Sequence, residues 1–230
     1  MSLFAIADTH LSLAADKSME IFPGWQDYVT RLENNWRAVV GAADTVVIAG
    51  DVSWGMSLEG ALRDFQFLDA LPGKKLIFKG NHDYWWATRK KMDCFFEEHS
   101  LVSLRVVHND AVEVDGIAVC GTRGWFFDAE ADAEKKVVQR EAGRLRTSIR
   151  AAKLLGGEPV AFLHYPPLTQ TARCEEIMQV LEEEGVRRCC YGHLHGPSTR
   201  AAVTGEQEGI QFSLISADYL HFCPQLLRIS

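Results

Sequence analysis

Short apolar runs that each end in a polar cluster narrow the possible folds of this chain more than any other feature of its sequence. Continuous apolar runs of four or five residues, bounded by turn residues, predict strands that are buried on both faces. Each following cluster contains Asp, Asn or His. Because ligands of open α/β sheets bind at the carboxyl ends of strands, we expect the clusters to meet at one edge. The runs are 4–7, 45–49, 75–78, 160–163 and 187–191.

Several segments around these runs carry apolar residues at helical spacing. The first, for example, places Trp25, Tyr28, Leu32 and Trp36 on one face. Glycine or proline follows the helical segments and supplies a stop signal. The segment 131–155 is rich in charged residues and predicts an exposed helix. The predicted helices cover 25–41, 58–71, 131–155 and 174–184.

Two further segments resemble antiparallel strands. Residues 105–119 predict a hairpin that turns at Asn109-Asp110 or at Asp115-Gly116, and residues 210–229 supply two closing strands. Together these elements predict an α/β sandwich of mixed sheets with helices outside. Since 230 residues suit one core and no linker or repeat interrupts them, we expect a single domain over 1–230.

Composition and charge exclude several classes of function. A net charge of −7 disfavours non-specific binding to nucleic acid, which depends on a basic surface. No apolar stretch reaches the length that spans a bilayer, and the N-terminus lacks a basic leader, so we expect a cytoplasmic location. The six cysteines form no CxxC pair, which favours reduced thiols over a disulfide or zinc framework.

The polar clusters hold the donors of a metal site. Five of the eight histidines lie in them, beside carboxylate and amide side chains. This donor set favours Mn, Fe, Zn or Co, and the absence of cysteine from the clusters disfavours structural zinc. The donors suffice for two ions that share a carboxylate, an arrangement that clamps a phosphoryl group. The five are His10, His82, His164, His193 and His195.

The ordered motifs resemble those of the calcineurin-like metallophosphoesterase superfamily. The resemblance runs from residue 8 to residue 195 and implies a four-layer α/β/β/α sandwich of mixed sheets with flanking helices. It also implies hydrolysis of a phosphate ester by a hydroxide held between two divalent metal ions. The motifs are Asp8-x-His10, Gly50-Asp51, Gly80-Asn81-His82-Asp83, His164 and Gly192-His193-x-His195.

The same resemblance implies a role for each motif residue. One metal ion is expected on Asp8, His10 and His195, and the other on Asn81, His164 and His193. Asp51 takes the bridging position between the two ions. His82 is expected to contact the phosphate or protonate the leaving oxygen, with Asp83 as its orienting partner.

Other residues near the motifs keep two interpretations. Arg123 lies between two glycines, and it is expected either to bind a phosphate or to form a surface salt bridge. Asp83 is either catalytic or the cap of a following turn. Trp54 walls a pocket or packs in the core. Residues 11–24 follow the first motif without a clear period and form either a lid or an ordinary loop.

The sequence therefore predicts a hydrolase of a small phosphomonoester or phosphodiester. A nuclease or other polymer phosphodiesterase of the superfamily is the alternative, and it requires a basic track that the sequence does not obviously supply. A non-catalytic scaffold is the remote alternative, and it predicts missing ligands. The stretch 51–55 lacks the arginine of the related Ser/Thr phosphatases, which disfavours a protein substrate. The native substrate, the metals and the oligomeric state stay open.

Overall fold

The computed structural model describes residues 1–125 and 132–228, with the backbone alone for 132–134. The predicted helix start at 131 and the last residue of the predicted closing strands lie outside these ranges. The strands are β1 (Leu3–Ile6), β2 (Thr45–Ala49), β3 (Lys74–Phe78), β4 (Leu104–Val106), β5 (Val112–Val114), β6 (Ile117–Thr122), β7 (Glu158–Leu163), β8 (Arg188–Tyr191), β9 (Gly205–Gln207), β10 (Ile210–Leu214) and β11 (Gln225–Leu227). The α-helices are α1 (Tyr28–Val39), α2 (Leu62–Ala70), α3 (Arg89–Glu98), α4 (Asp132–Leu155) and α5 (Glu175–Glu183).

The strands form two mixed sheets. The first has the order β11-β1-β2-β3-β4 and the second the order β5-β6-β7-β8-β10-β9. Strands β1 to β4 are parallel in the first sheet, as are β6, β7, β8 and β10 in the second. The antiparallel strands β11, β5 and β9 lie at the edges.

The predicted hairpin turn at Asp115-Gly116 is confirmed, but the prediction that the hairpin begins at residue 105 is wrong. Asp115 and Gly116 both have positive φ, which suits the tight turn between β5 and β6. The segment before Asn109 instead forms β4, which pairs with β3 in the other sheet. Parallel pairing with Leu76 and Ile77 carries residues 104–106 into the first sheet.

Three apolar clusters separate four layers, which confirms the α/β/β/α sandwich. One lies between the first sheet and helices α1 to α3, and another between the second sheet and helices α4 and α5. The third joins the inner faces of the two sheets, where the rings of Phe78 and Phe162 stack 6.0 Å apart. Cys189 and Cys190 belong to different clusters because successive strand residues face opposite sides.

Helix α4 is less exposed than predicted. Leu145, Ile149 and Ala152 are buried against the second sheet and α5 because they recur at helical spacing among the charges. The outer face of α4 pairs with α5, for example through Lys153 and Glu184, 2.6 Å apart. Within the described ranges, no helix has both the length and the apolar character needed to cross a membrane.

The carboxyl ends of both sheets meet at one edge of the sandwich. Ala7, directly after β1, accepts a hydrogen bond from the amide of Ala217 and donates one to the carbonyl of Ile215. These bonds join the extension of β1 to that of β10. The loops after β1, β2, β3, β7 and β8 are thereby brought together.

Candidate metal centre

The first predicted ligand set lies at this edge. Nε2 of His195 is 3.3 Å from Oδ1 of Asp8 and 3.2 Å from Nε2 of His10. Asp8 and His10 come from the loop after β1, and His195 comes from the loop after β8. The structure thus places donor atoms from three side chains within reach of a single ion.

The second predicted set lies beside the first. Nε2 of His164 is 2.7 Å from Oδ1 of Asn81, and Nδ1 of His193 is 3.0 Å from the same oxygen. The two imidazole nitrogens are 3.3 Å apart. Three loops, after β3, β7 and β8, supply this set.

Asp51 lies between the two sets. Its Oδ2 atom is 3.7 Å from Nε2 of His10 and 3.4 Å from Nε2 of His164. Its Oδ1 atom accepts a hydrogen bond of 2.7 Å from the amide of His82, which fixes the carboxylate. This is the position that the family resemblance implies for a bridging ligand.

The backbone of the site is strained. Asp8, His10, Asp51 and His193 all have positive φ, between 42° and 71°. This region costs non-glycine residues energy, although Asp and His adopt it more readily than most. Four of the seven predicted ligands share it, which indicates that the loops are shaped by the geometry of the site.

The glycines of the motifs permit the close approach of these loops. A Cβ atom on Gly50, whose φ is +91°, would lie 2.7 Å from Cα of Gly80. A Cβ atom on Gly80 would lie 2.1 Å from Oδ1 of Asp51, and one on Gly192 would lie 2.4 Å from Oδ2 of Asp8. Any larger residue at these positions would displace a predicted ligand.

Burial acts on Asp8 and Asp51 alike, but their neighbours shift the two pKa values in opposite directions. Burial would raise the pKa of Asp8, but the neighbouring His195, His164 and His10 outweigh it and lower this pKa. Burial and the charge of Asp8 raise the pKa of Asp51 to about 8. A cation between them would relieve the repulsion, because an opposite charge stabilises the ionised forms.

The donor set fits divalent metal ions. Oδ1 of Asp8 and Nδ1 of His10 are buried and lack a hydrogen-bond partner among the described residues. Buried acceptors are normally paired, so an unpaired carboxylate oxygen that faces imidazole nitrogens fits the role of a cation ligand. Carboxylate, imidazole and amide donors match borderline divalent metals.

Contacts from outside the two ligand sets orient the rings of His195 and His164. Nδ1 of His195 lies 3.0 Å from Oδ1 of Asp218, and Nδ1 of His164 lies 3.2 Å from the carbonyl oxygen of Ala49. Such partners hold the opposite nitrogen free for a metal. Burial lowers the pKa of His195, but Asp8 and Asp218 outweigh it and raise this pKa to about 10. Sequence reasoning missed Asp218, although residues 210–218 repeat the pattern of an apolar run before a carboxylate.

The structure does not bring Asp83 and the His82 ring together. The Asp83 carboxylate is buried and accepts hydrogen bonds from the amides of Asp51, Val52 and Gly80 and from the indole of Trp85. Nδ1 of His82 instead lies 3.2 Å from the hydroxyl of Tyr84. In the described structure, Asp83 holds the loops after β2 and β3 and makes no hydrogen bond to His82.

Arg123 takes part in a charged cluster beside the site. Its guanidinium lies 3.9 Å from the buried Glu141 carboxylate and 4.7 Å from the ring of Trp125. The backbone carbonyl oxygen of Arg123 accepts hydrogen bonds from the amides of His164 and Tyr165. The predicted phosphate contact stays a prediction, and the salt bridge that the structure shows is to a buried carboxylate rather than on the surface.

Residues 11–24 form one wall of a cavity next to the metal centre. The amide of Leu11 bonds to the carbonyl of Val52, and the amide of Leu13 bonds to the Asp64 carboxylate. A short 3₁₀ helix at Met19–Ile21 then leads to Phe22. The cavity measures about 590 Å³, and Trp54 lines it as well. Trp54 therefore walls a pocket, as one of its two interpretations proposed.

Fold and site together define a class, namely α/β sandwiches with a candidate metal site at the shared carboxyl edge of two sheets. Residues 1–197 match the sequence model of the calcineurin-like phosphoesterases. The chain belongs to that family, whose members depend on metal for the hydrolysis of phosphate esters.

Individual relatives are distant. A 58-residue stretch is 38% identical to the Gene 66 protein of Mycobacterium phage L5 and covers 25% of this chain and 28% of the phage protein. The structure of AQ665 from Aquifex aeolicus, of unknown function, aligns with a TM-score of 0.56 at 15% identity, over 98% of this chain and 95% of its own. The structure of TT1561 of Thermus thermophilus aligns with a TM-score of 0.54 at 12% identity, over 91% of this chain and 86% of its own. At these identities the structures show a shared fold.

Proposed function

We propose that this protein hydrolyses a small phosphomonoester or phosphodiester with the help of two divalent metal ions. The position of Asp51 between two ligand sets carries the proposal. Oδ2 of Asp51 lies within 3.7 Å of one imidazole from each set. A shared carboxylate in this position suits a two-ion site, whereas a single ion would leave half of the donors unused.

Seven side chains would hold the ions, and Mn, Fe, Zn or Co suits them best. When bound, such ions lower the pKa of a water molecule and neutralise charge on the phosphoryl oxygens. The chain's own task is to hold the donors apart at the correct spacing. The outer contacts from Asp218 and Ala49 do so for His195 and His164.

His82 is the residue that we assign to proton transfer or phosphate contact. It lines the cavity beside His10 and His195, and the hydroxyl of Tyr84 contacts one of its ring nitrogens. Burial and the nearby His164 lower the pKa of His82. A phosphate would raise that pKa again, so His82 would gain its proton in the complex and give it to the leaving oxygen.

The net charge of −7 supports a small substrate over a polymer. Nucleic acid would need a basic track along the approach to the site. We place the protein in the cytoplasm, a proposal that its six free cysteines support.

The decisive experiment combines metal analysis with two model substrates. Purified protein is stripped, reloaded with Mn, Fe, Zn or Co, and assayed on nitrophenyl phosphate and bis(nitrophenyl) phosphate. We expect two ions per chain and turnover of at least one substrate, with the preferred ester separating phosphatase from phosphodiesterase. Two bound ions without turnover of either ester would contradict the proposed function and favour a scaffold.

A further inference from the structure

The cavity beside the metal centre has two unlike sides. One side is formed by the predicted metal ligands His10 and His195 and by His82. Met19, Phe22 and Trp54 are among the apolar residues that complete it. A volume of about 590 Å³ lies within the range of cavities that bind small organic molecules.

Aromatic contacts join the cavity to the metal centre. The Trp54 ring stacks on His10 with centroids 5.0 Å apart and an angle of 20°. Trp25 meets His10 and His195 edge-on, at 5.9 Å and 5.6 Å. These two rings therefore lie directly against two of the predicted metal ligands.

The apolar wall is held in place before any ligand binds. The carbonyl of Leu11 accepts a hydrogen bond from the amide of Trp54. The hydroxyl of Ser18 caps the short 3₁₀ helix by accepting a hydrogen bond from the amide of Glu20. Phe22, the next residue after that helix, is 48% exposed. Covering an exposed aromatic side chain is favourable, so Phe22 offers binding energy to an apolar ligand.

We propose that this cavity receives the organic group of the phosphoester, and that this group is a flat apolar ring system. The inference rests on the proposed function and names the class of its substrate. Apart from the three histidines and the indole N–H groups of Trp25 and Trp54, the side chains that line the cavity in the described structure are apolar, although the Lys17 ammonium lies 4.6 Å from the centre of the Trp54 ring. A sugar would lose more hydrogen bonds to water there than these few polar groups could replace, whereas an apolar ring system would lose none.

Binding tests the proposal without turnover. Calorimetry compares 1-naphthylmethylphosphonate with methylphosphonate on metal-loaded protein, and 1-naphthylmethanol on chelated protein. We expect the naphthyl phosphonate to bind at least about tenfold more tightly than the methyl compound, from the apolar area that it buries. Equal affinities for the two phosphonates would overturn the proposal.

Phe22→Ala and Ile21→Ala form a matched pair. Both residues are exposed and adjacent, but Phe22 lines the cavity and Ile21 does not. We expect Phe22→Ala to weaken binding of the naphthyl phosphonate about 5- to 10-fold, and Ile21→Ala to leave it unchanged. Equal losses in the two variants would contradict the assigned role.

Turnover separates this inference from the proposed function. The substrates are 1-naphthylmethyl phosphate and glycerol 3-phosphate, which both release alkoxides of similar basicity. A higher kcat/KM for the naphthyl ester, reduced by Phe22→Ala, supports both proposals. Equal kcat/KM values overturn the ring preference and leave the hydrolase intact. Ring-dependent binding without turnover of either monoester supports the cavity and contradicts a phosphomonoesterase, and the bis(nitrophenyl) phosphate assay then decides whether the protein is a phosphodiesterase.

Discussion

Asp218 fixes the ring of His195 although 23 residues separate them. Oδ1 of the carboxylate lies 3.0 Å from Nδ1 of the imidazole, and Oδ2 accepts the amide of Gly196. Nε2 of His195 is thereby directed toward Asp8 and His10. A carboxylate behind a metal-binding histidine restrains the ring and raises its basicity.

Asp218→Asn should weaken metal binding at the first ligand set about 10- to 100-fold, because the histidine loses its charged partner. Titration against a competing chelator measures the affinity. Asp115→Asn is the matched control, since Asp115 is exposed in the turn between β5 and β6 and asparagine tolerates its positive φ. Identical affinities in the two variants would remove Asp218 from the site.

Asp51→Asn should have opposite effects on stability with and without metal. In the chelated protein, it removes one of two repelling buried carboxylates and should raise the unfolding temperature. In the presence of metal, the variant should lose about 2–3 kcal/mol of the stabilisation that metal binding gives the wild type. Thermal unfolding and metal content measure both effects. Two retained ions with full turnover would show that Asp51 does not bridge.

His82→Ala should keep both ions and lose about 10²- to 10⁴-fold in kcat, because its assigned role is proton transfer rather than ligation. Tyr84→Phe removes only the hydroxyl that contacts His82 and should cost far less. Steady-state kinetics and metal analysis of the same samples separate the roles. Loss of metal from His82→Ala would identify the residue as a ligand.

Asp83→Ala should lower the free energy of unfolding of the chelated protein by about 3–5 kcal/mol, because buried amides at Asp51, Val52 and Gly80 lose their acceptor. Urea denaturation measures the change. Asp93→Ala removes an exposed ion pair to Arg89 and should cost about 1 kcal/mol at most. A similarly small cost for Asp83→Ala would show that Asp83 does not hold the loops after β2 and β3 together.

Lys75 should make stability rise with pH. Its buried ammonium contacts Leu71 and Ser103, and burial, which outweighs the attraction of Asp69, lowers its pKa from 10.5 to about 8. The folded state therefore releases the proton first, and the unfolded state binds more protons between these values. Relative to Lys75→Met, the wild type should gain about 2 kcal/mol between about pH 7.5 and about pH 9.5. Urea denaturation at both pH values tests this, and a constant difference would contradict the lowered pKa.

Much of the fold was predictable because its central strands are buried on both faces. Strands β1, β2, β3, β7 and β8 lie where continuous apolar runs predicted them. The edge strands β4 and β11 have weaker patterns, because β4 is only partly buried and no residue of β11 is fully buried. Their partners depend on which sheet reaches them, and the local sequence carries no such information.

The sequence by itself determined which donor residues the chain carries and that strand ends would bring them to one edge. Only the tertiary structure decided that Asp218 backs His195, that Asp83 faces the backbone rather than His82, and that residues 11–24 wall a cavity. The physical reason is the range of each interaction. Strand burial and turn chemistry leave a local pattern, whereas contacts between distant loops arise only when the two sheets pack together.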